Sequence, residues 1–560
     1  MRHRASEQGD ERAYIFLPDR GGERPLLTFA GLYARALAVA RHLAGRGEPG
    51  DRAALLFSPG LDFIVAFFGC LLAGIVAVPM MIPRRDSRRD ASRAILADCA
   101  PRFLLTTREL LQANRPDLYD RLADVAAAWV FCDDIPAEAG GGAAPPAEPR
   151  RDDIAFLQYT SGSTATPKGV MVSHGNLLDN SEMIRIAFGN TRHSTYVSWV
   201  PLYHDMGLIV NVLQSLYVGA LCVLMAPVAF LQRPLNWLRA IHEFRAEVAG
   251  GPNFAFDHCV RRYRAEEMAG VDLSSWKLAF NGAEPVRAET IARFVATFAR
   301  HGFAATAPYP AYGMAEATLL ISGGRRSEGP RYRRVSRTAL QRHRIEPPRR
   351  EEDAQTLVGC GRQLVGERIA IVDPQSGRRL APGEIGEIWV AGPHVARGYW
   401  RNPEATRATF AGRIAGEEAG SWLRTGDLGF VDAAGELFIT GRIKDLIIIR
   451  GINHYPHDIE HTVEASHPAL RRHGGAAFAV VDESGEERLV IVQEVERQHR
   501  QSDLAAIVAA IRAAVIREHD IAPYRIVLIR TGTLPQTTSG KIQRGLARQL
   551  WLAGALAVLA

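Results

Sequence analysis

Tyr159-Thr160-Ser161-Gly162-Ser163-Thr164-Ala165-Thr166-Pro167-Lys168-Gly169-Val170 joins two apolar runs, 154–159 and 170–172. The runs read as strands, and the small residues between them let backbone N–H groups approach a polyphosphate closely. Side-chain hydroxyls add donors, and Lys168 adds positive charge. Composition alone leaves two readings, a phosphate-binding loop or a Ser/Thr/Gly hairpin turn. It is not a Walker loop: Pro167 stands where the second glycine belongs, and Gly169 replaces the Mg-binding Ser/Thr.

Outward from this segment, residues 28 to 320 alternate short β-branched runs with helical stretches. The runs lie at 53–57, 75–78, 154–159, 170–172, 221–225 and 277–280, and the helices include 29–44 and 288–299. That alternation predicts α/β layers with largely parallel sheets. Residues 63–83 are 21 positions without a charge, enough to span a bilayer. Gly69, Gly74 and Pro79 interrupt the run, and a buried helix over 61–73 stopped at Gly74 accounts for it without a membrane span.

Residues 134–150 read as a surface loop or linker, and 323–353, with ten arginines between Arg325 and Arg350, as a second low-order region. Strands are expected at 368–372, 386–391 and 436–440. A smaller unit then begins near Gly441, with a strand at 446–449, helices near 456–464 and 503–518, and strands near 476–480 and 488–493. The tail 551–560 reads as helix-like. A chain of 560 residues is too long for one core, and 47% hydrophobic with 23% charged residues exclude general disorder. A formal charge of +6 over this length points to no nucleic-acid partner. Six scattered cysteines fit neither a zinc site nor a disulfide framework and imply a reduced, cytoplasmic setting. Four lysines, Lys168, Lys277, Lys444 and Lys541, stand against 63 arginines, the remainder of the 67 basic residues. A position that keeps lysine in such a chain needs a compact ammonium on a flexible stem.

Around the quoted segment the chain closely resembles the signature loop of the adenylate-forming superfamily, which includes acyl-CoA synthetases, peptide-synthetase adenylation domains and luciferases. Supporting segments are Trp199-Val-Pro-Leu-Tyr-His-Asp-Met-Gly-Leu208, Asn281-Gly-Ala-Glu284, Tyr312-Gly-Met-Ala-Glu-Ala-Thr318 and Tyr399-Trp-Arg-Asn-Pro-Glu404. Leu423-Arg-Thr-Gly-Asp-Leu-Gly429, Gly441-Arg-Ile-Lys-Asp-Leu446, Asn453-His-Tyr-Pro456 and Thr538-Ser-Gly-Lys541 follow in order. The pattern spans roughly 25 to 550 and is most similar to the fatty acyl-AMP ligases. Three of the four lysines fall inside it.

The resemblance implies an α/β fold: a large N-terminal domain (1–440) of α/β subdomains plus a small β-rich subdomain, hinged near Lys444 to a mobile α+β C-terminal domain (441–560). It implies ATP and Mg²⁺ as cofactors. Thr160, Ser161, Gly162, Ser163, Thr164 and Lys168 would bind phosphate, and Gly282, Ala283 and Glu284 would line the base. Tyr312 would stack on adenine within Tyr312, Gly313, Met314, Ala315 and Glu316. Glu316 with Thr160 would hold the metal, and Asp427 with Arg442 the ribose. His204 would sit at the mouth of the acyl pocket, and Lys541 would be the main catalytic residue, bridging carboxylate and α-phosphate. Asn453 stands where many acyl-CoA synthetases carry an arginine near that phosphate, which leaves Arg442 and Lys541 with more of the charge work.

The implied reaction is activation of a fatty acid to acyl-AMP with release of pyrophosphate. Transfer to the phosphopantetheine thiol of an acyl carrier protein follows, the carrier being free or within a polyketide or peptide synthase. Alternatives are a fatty acyl-CoA synthetase, an amino-acid adenylation domain with Asp205 facing the substrate ammonium, and a non-catalytic nucleotide-binding scaffold. The 41 residues between Glu316 and Val358 contain an inserted segment, about 331–356, of the kind that marks fatty acyl-AMP ligases. In that family it packs on the large domain and disfavours transfer to free CoA.

Overall fold

A computed structural model describes the chain except residues 20, 84–91, 138–148, 161–166, 418–419, 450–451, 483–485, 538–539 and 560. Two twisted sheets carry the large unit. The first has six strands in the order Ala128–Phe131, Phe103–Thr106, Arg52–Leu55, Val76–Pro79, Ile154–Thr160, Lys168–Ser173. Its first five strands are parallel, and the last pair is an antiparallel hairpin that sets Thr160 opposite Lys168.

The second sheet has nine strands, with a parallel centre made of Pro308–Gly313, Leu278–Asn281, Val248–Gly251, Thr195–Ser198, Leu221–Met225 and Arg12–Leu17. The strand Arg12–Leu17 lies outside the span that the sequence pattern covers. Its partner, Leu221–Met225, is some two hundred residues away, so no local signal announces the pairing. Parallel strands end together, and Trp199, Pro252, Gly282 and Gly313 all fall at or just past their carboxyl ends. That is where α/β sheets hold ligands.

Local chemistry explains the helices between strands. Thr28 caps Phe29–Ala44, its side chain accepting from the Gly31 N–H at 3.0 Å. Leu61–Ala73 stops where Gly74 adopts φ +70°, the left-handed turn that glycine makes without strain. At thirteen residues it cannot cross a bilayer, and no helix among the described residues is long and apolar enough to do so. A Cβ on Gly69 would fall 2.5 Å from Val39 Cγ1, so this glycine allows the two helices to pack closely.

An antiparallel sheet of Arg368–Val372, Gly386–Ala391, Leu423–Val431 and Leu437–Arg442 follows. The turn Ile443–Asp445 leads out of it into the C-terminal unit. That unit holds the hairpin Ile447–Ile449 with Ile452–His454, the sheet Leu470–Val481, Glu487–Val495, Arg525–Arg530, and the helices Pro456–Ser466 and Leu504–His519. The end of the chain departs from expectation. A helix, Arg544–Leu552, stops before the tail, where Val558 bridges to Ile529 and the Leu559 N–H donates to Leu528 O at 2.7 Å.

The arginine-rich region also differs from the low-order reading. Tyr332–Ser336 pairs with Ala354–Val358, and a short helix, Arg337–Leu340, lies between them. Val335, Leu340 and Leu357 pack on Leu428, Phe430, Phe438 and Tyr455, so the apolar side of the hairpin covers the four-stranded sheet. Its polar side meets the C-terminal unit. Arg337 pairs with Glu518 at 2.8 Å, Gln355 Nε2 donates to Asp458 at 2.9 Å, and Asn453 Nδ2 donates to Gln341 O at 3.0 Å. Asn453 thus binds the inserted segment.

Two buried histidines back this contact. His454 is 3% and His519 5% exposed, and burial pushes each imidazole down to about 4, against weaker support from Asp520 for the first and Asp458 for the second. A histidine whose folded pKa lies below its unfolded value keeps its contribution above about pH 6.5 and loses it as pH falls toward 4. At pH 5 the expected loss is on the order of 2 kcal/mol per histidine. Urea midpoints taken at pH 7 and pH 5 should show it, and His519→Gln should flatten the dependence.

Candidate active site

The residues given nucleotide, metal, catalytic or hinge roles from the sequence, apart from Ser161, Gly162, Ser163 and Thr164, line one cavity of about 1870 Å³ between the two sheets, the four-stranded sheet and the C-terminal unit, whereas Asn453 does not line it. Those four lie outside the described residues. The strand ends supply one wall. Gly282, Ala283 and Glu284 follow Leu278–Asn281, and Ala283 takes φ +71°, a conformation that costs a residue with a Cβ. Gly313, Met314 and Ala315 continue from Pro308–Gly313.

Tyr312 crosses to the four-stranded sheet. Its hydroxyl donates to Asp427 Oδ2 at 2.8 Å, while Arg442 Nε donates to Asp427 Oδ1 at 2.7 Å from the paired position on the next strand. Each carboxylate oxygen keeps a second lone pair for a diol. Burial and the adjoining Asp427 anion raise the Tyr312 phenol well above its usual range, so it stays neutral. Asp427 also outweighs burial at Arg442 and holds the guanidinium charged. Gly426, beside Asp427 in the chain and lining the same cavity, has φ +71°, and a Cβ there meets nothing within 4 Å. The open space beside an anion, a neutral phenol and a cation fits the ribose of a nucleotide.

Glu316, 9% exposed, accepts a 2.8 Å hydrogen bond at Oε1 from Tyr399, and the Tyr399 ring lies 4.8 Å from the Lys168 ammonium. Glu316 Oε2 takes no hydrogen bond among the described residues. A buried carboxylate with one oxygen fixed and the other unclaimed is the hard oxygen donor that Mg²⁺ favours. Thr160 stands opposite Lys168 on the hairpin, and its hydroxyl adds an uncharged oxygen nearby.

At the far side, His204 Nδ1 lies 2.6 Å from Asp205 Oδ1, and the same oxygen accepts from the Met206 N–H at 2.7 Å to cap Met206–Leu213. Burial works to raise the Asp205 carboxyl, but His204, the Lys541 ammonium and the Met206 N–H bring it down to about 2. Asp205 is thus engaged locally instead of waiting for a substrate ammonium. Apolar residues Trp199, Val200, Met206, Val210, Leu231 and Phe254 extend the cavity from here, and Trp199 stacks on Phe230 at 4.0 Å.

Lys541 enters from the C-terminal unit on a turn in which its N–H donates to Thr537 Oγ1 at 3.0 Å. The Cβ position of neighbouring Gly540 falls 3.5 Å from Phe254, so the lysine loop rests on the large unit. Lys444 also lines the cavity. Burial and then Arg442 lower its pKa, with Asp445, Asp427 and Glu316 opposing. Sequence reasoning quoted Tyr399 inside a motif but gave it no role. It missed Asp257 and His473, which no motif marks.

The model of AMP-binding enzymes matches residues 1–400, and the AMP domain of Disco-interacting protein 2-like proteins matches 444–560. The chain belongs to the AMP-binding, adenylate-forming enzymes, in their fatty acyl-AMP ligase branch. It is 44% identical to the medium-chain-fatty-acid–[acyl-carrier-protein] ligase JamA of Moorena producens, over 99% of this chain and 95% of that one. TtuA of Teredinibacter turnerae, a ligase of the same description, is 37% identical over 97% and 91% of the two chains. The solved fatty acyl-adenylate ligase of Legionella pneumophila, in complex with acyl adenylate and pyrophosphate, superposes with a TM-score of 0.76 at 39% identity, covering 100% of this chain and 96% of that one.

Tyr399→Phe removes the donor to a buried carboxylate. The expected cost is about 1–3 kcal/mol of folding stability, read from urea denaturation. An unchanged midpoint contradicts the hydrogen bond to Glu316.

Proposed function

We propose that this chain is a cytoplasmic enzyme that uses MgATP to convert a fatty acid into acyl-AMP and pyrophosphate, then passes the acyl group to the phosphopantetheine thiol of a carrier protein. One observation carries the reading: a single cavity joins the Tyr312–Asp427–Arg442 cluster to an apolar arm, with Lys541 and His204 where the two meet. The anionic carboxylate of a fatty acid, placed at that junction, faces the α-phosphorus of a nucleotide seated on Asp427. Its chain fills the arm beyond Trp199.

In this mechanism the carboxylate attacks the α-phosphorus in line, a P–O bond forms, and pyrophosphate leaves with the electrons of the broken bond. Lys541 lies near the bridging oxygens, where negative charge accumulates. Tyr399 holds Glu316, and Lys168 faces the phosphates from the hairpin. Bound Mg²⁺, held by Glu316 with Thr160, would neutralise phosphate charge. Asp427 and Arg442 orient the ribose. After the C-terminal unit turns about Lys444, a thiol attacks the acyl carbon and AMP departs. The two carrier-protein ligases named above support that acceptor, as does the inserted segment, whose contacts at Glu518, Asp458 and Asn453 tie the C-terminal unit to the large one.

The test is pyrophosphate exchange over a panel of acids, with CoA and a phosphopantetheinylated carrier as acceptors. Medium- to long-chain acids should drive exchange, the carrier should be loaded, and CoA should yield little product. Rapid stoichiometric acyl-CoA would make the protein an acyl-CoA synthetase instead.

Lys541→Ala is expected to cost on the order of 10² to 10³ in adenylation rate, as loss of one preorganised donor does. Transfer from supplied acyl-AMP should change far less. Lys444→Pro fixes φ at the turn that must rotate. Acyl-AMP should still form in that variant while thioester formation drops, and an unchanged transfer rate rules the hinge out.

A further inference from the structure

We propose that His473 is a positioning residue for adenylation, docking the Lys541 loop on the large unit through Asp257. The inference rests on the two-orientation reading above. Helix Asn253–Arg261 of the large unit follows the strand Val248–Gly251 and so starts at the carboxyl ends of the parallel sheet. It offers two points of contact about one turn apart. Phe254 receives Gly540, next to Lys541, and Asp257 receives His473 Nε2 at 3.2 Å.

Asp257 is built to receive a donor. Thr290 Oγ1 donates to its Oδ2 at 2.9 Å, and Arg293 Nη2 donates to its Oδ1 at 2.8 Å. Burial opposes the charge, but His473 and Arg293 hold the carboxyl well below the usual range, so the site is an anion. With His473 withdrawn, Arg293 and Thr290 still satisfy it. The large unit can therefore lose the contact without stranding a buried charge.

His473 is equally fixed from its own side. It sits where the register of Leu470–Val481 shifts, with φ +54°, a left-handed conformation that is uncommon for a residue with a Cβ and is held here at both ends. Its N–H donates to Glu464 Oε1 at 2.6 Å, and its carbonyl accepts from Gln536 Nε2 at 3.1 Å. Gln536 opens the turn that holds Lys541, and Gln536 and Ile542 bridge across it. Glu464 meets Arg287 of the large unit at 3.4 Å. One residue thus links the loop carrying the lysine, the helix behind it and the anion on the opposite unit. Displacing His473 from Asp257 shifts the Gln536 contact that sets where Lys541 points.

In the two-orientation reading the contact accompanies Lys541 in the cavity, so its loss should slow adenylation and leave transfer alone. A hydrogen bond to a charged group corresponds to about 10-fold or more in rate. The experiment measures fatty-acid-dependent pyrophosphate exchange and, separately, acyl transfer from supplied acyl-AMP, for wild type, His473→Ala, His473→Gln, Asp257→Asn, the double variant His473→Ala with Asp257→Asn, and Lys541→Ala. The expected result is a roughly 10-fold or greater loss of exchange in His473→Ala and Asp257→Asn, with no further loss in the double variant. Transfer should hold, and His473→Gln, whose amide can still donate, should recover part of the exchange. Asp257→Asn leaves the C-terminal unit unaltered and answers for any misfolding of His473→Ala. Equal losses in both half-reactions, or additive losses in the double variant, overturn the positioning role. If exchange in these variants stays at the wild-type rate while Lys541→Ala is selectively impaired, only this inference fails. If Lys541→Ala is impaired equally in both half-reactions, the two-orientation reading falls and this inference with it.

Discussion

One carboxylate, Asp427, ties together the parts that the site requires. It accepts from Tyr312 at the end of a parallel strand and from Arg442 at the end of an antiparallel one, both within 2.8 Å. The nine-stranded sheet and the four-stranded sheet therefore meet at a charged, hydrogen-bonded point where an apolar seam would leave no place for a nucleotide. Arg442 is also the last residue before the turn Ile443–Asp445, so the same bond anchors the strand from which the C-terminal unit departs. Removing the Asp427 charge would leave a buried phenol and a guanidinium without their acceptor, a loss large enough to disorder the junction.

A second chain of contacts, Lys168 to Tyr399 to Glu316, does for the hairpin end of the cavity what Asp427 does for the four-stranded-sheet end. Lys168 comes from the hairpin of the six-stranded sheet, Glu316 from the loop after Pro308–Gly313, and Tyr399 from the segment before helix Pro403–Phe410. Three separate elements converge because Tyr399 presents a ring face to the ammonium and a hydroxyl to the carboxylate. Its phenol, raised by burial and by Glu316, remains a donor across the working pH range. The antiparallel pairing of Thr160 with Lys168 makes this possible, since parallel strands joined by a helical crossover would not set the two opposite each other.

What the sequence made legible follows from how local each signal is. Thr28 and Gly74 bound their helices to the residue because caps act over one turn. The strand Arg12–Leu17 carries little local signal because its parallel partner, Leu221–Met225, lies far along the chain and its nearby antiparallel partner, Leu26–Thr28, is only three residues long. The inserted hairpin was read as low-order because ten arginines suggest solvent. Many of them are paired, as Arg334 is with Glu351 and Arg337 with Glu518, and the buried Val335, Leu340 and Leu357 are too few to make a visible pattern. The family's motif residues could be placed through resemblance. Asp257 and His473 could not, because neither is unusual until two units bring them together.

The kind of contact between the units also bears on the proposed rotation. The C-terminal unit has its own apolar core, with Ile447, Ile459, Val463, Ile491, Ile507 and Leu528 buried together. Its contacts with the large unit include the polar pairs Asp257–His473, Arg287–Glu464, Arg337–Glu518 and Gln355–Asp458. When the units part, water can take over the hydrogen bonds of these polar pairs, so they hold an orientation without interlocking apolar surface. The apolar contacts include Gly540 against Phe254 and Tyr455, which packs with Phe430 and Phe438 and lies against Gly441, where a Cβ would fall 2.6 Å from its ring. The Tyr455 contact sits beside the turn at Lys444, near any axis of rotation, where a swing moves atoms least. Aromatic packing at the pivot, with polar pairs and a contact made only by a glycine farther out, is a distribution that lets a domain turn while staying attached.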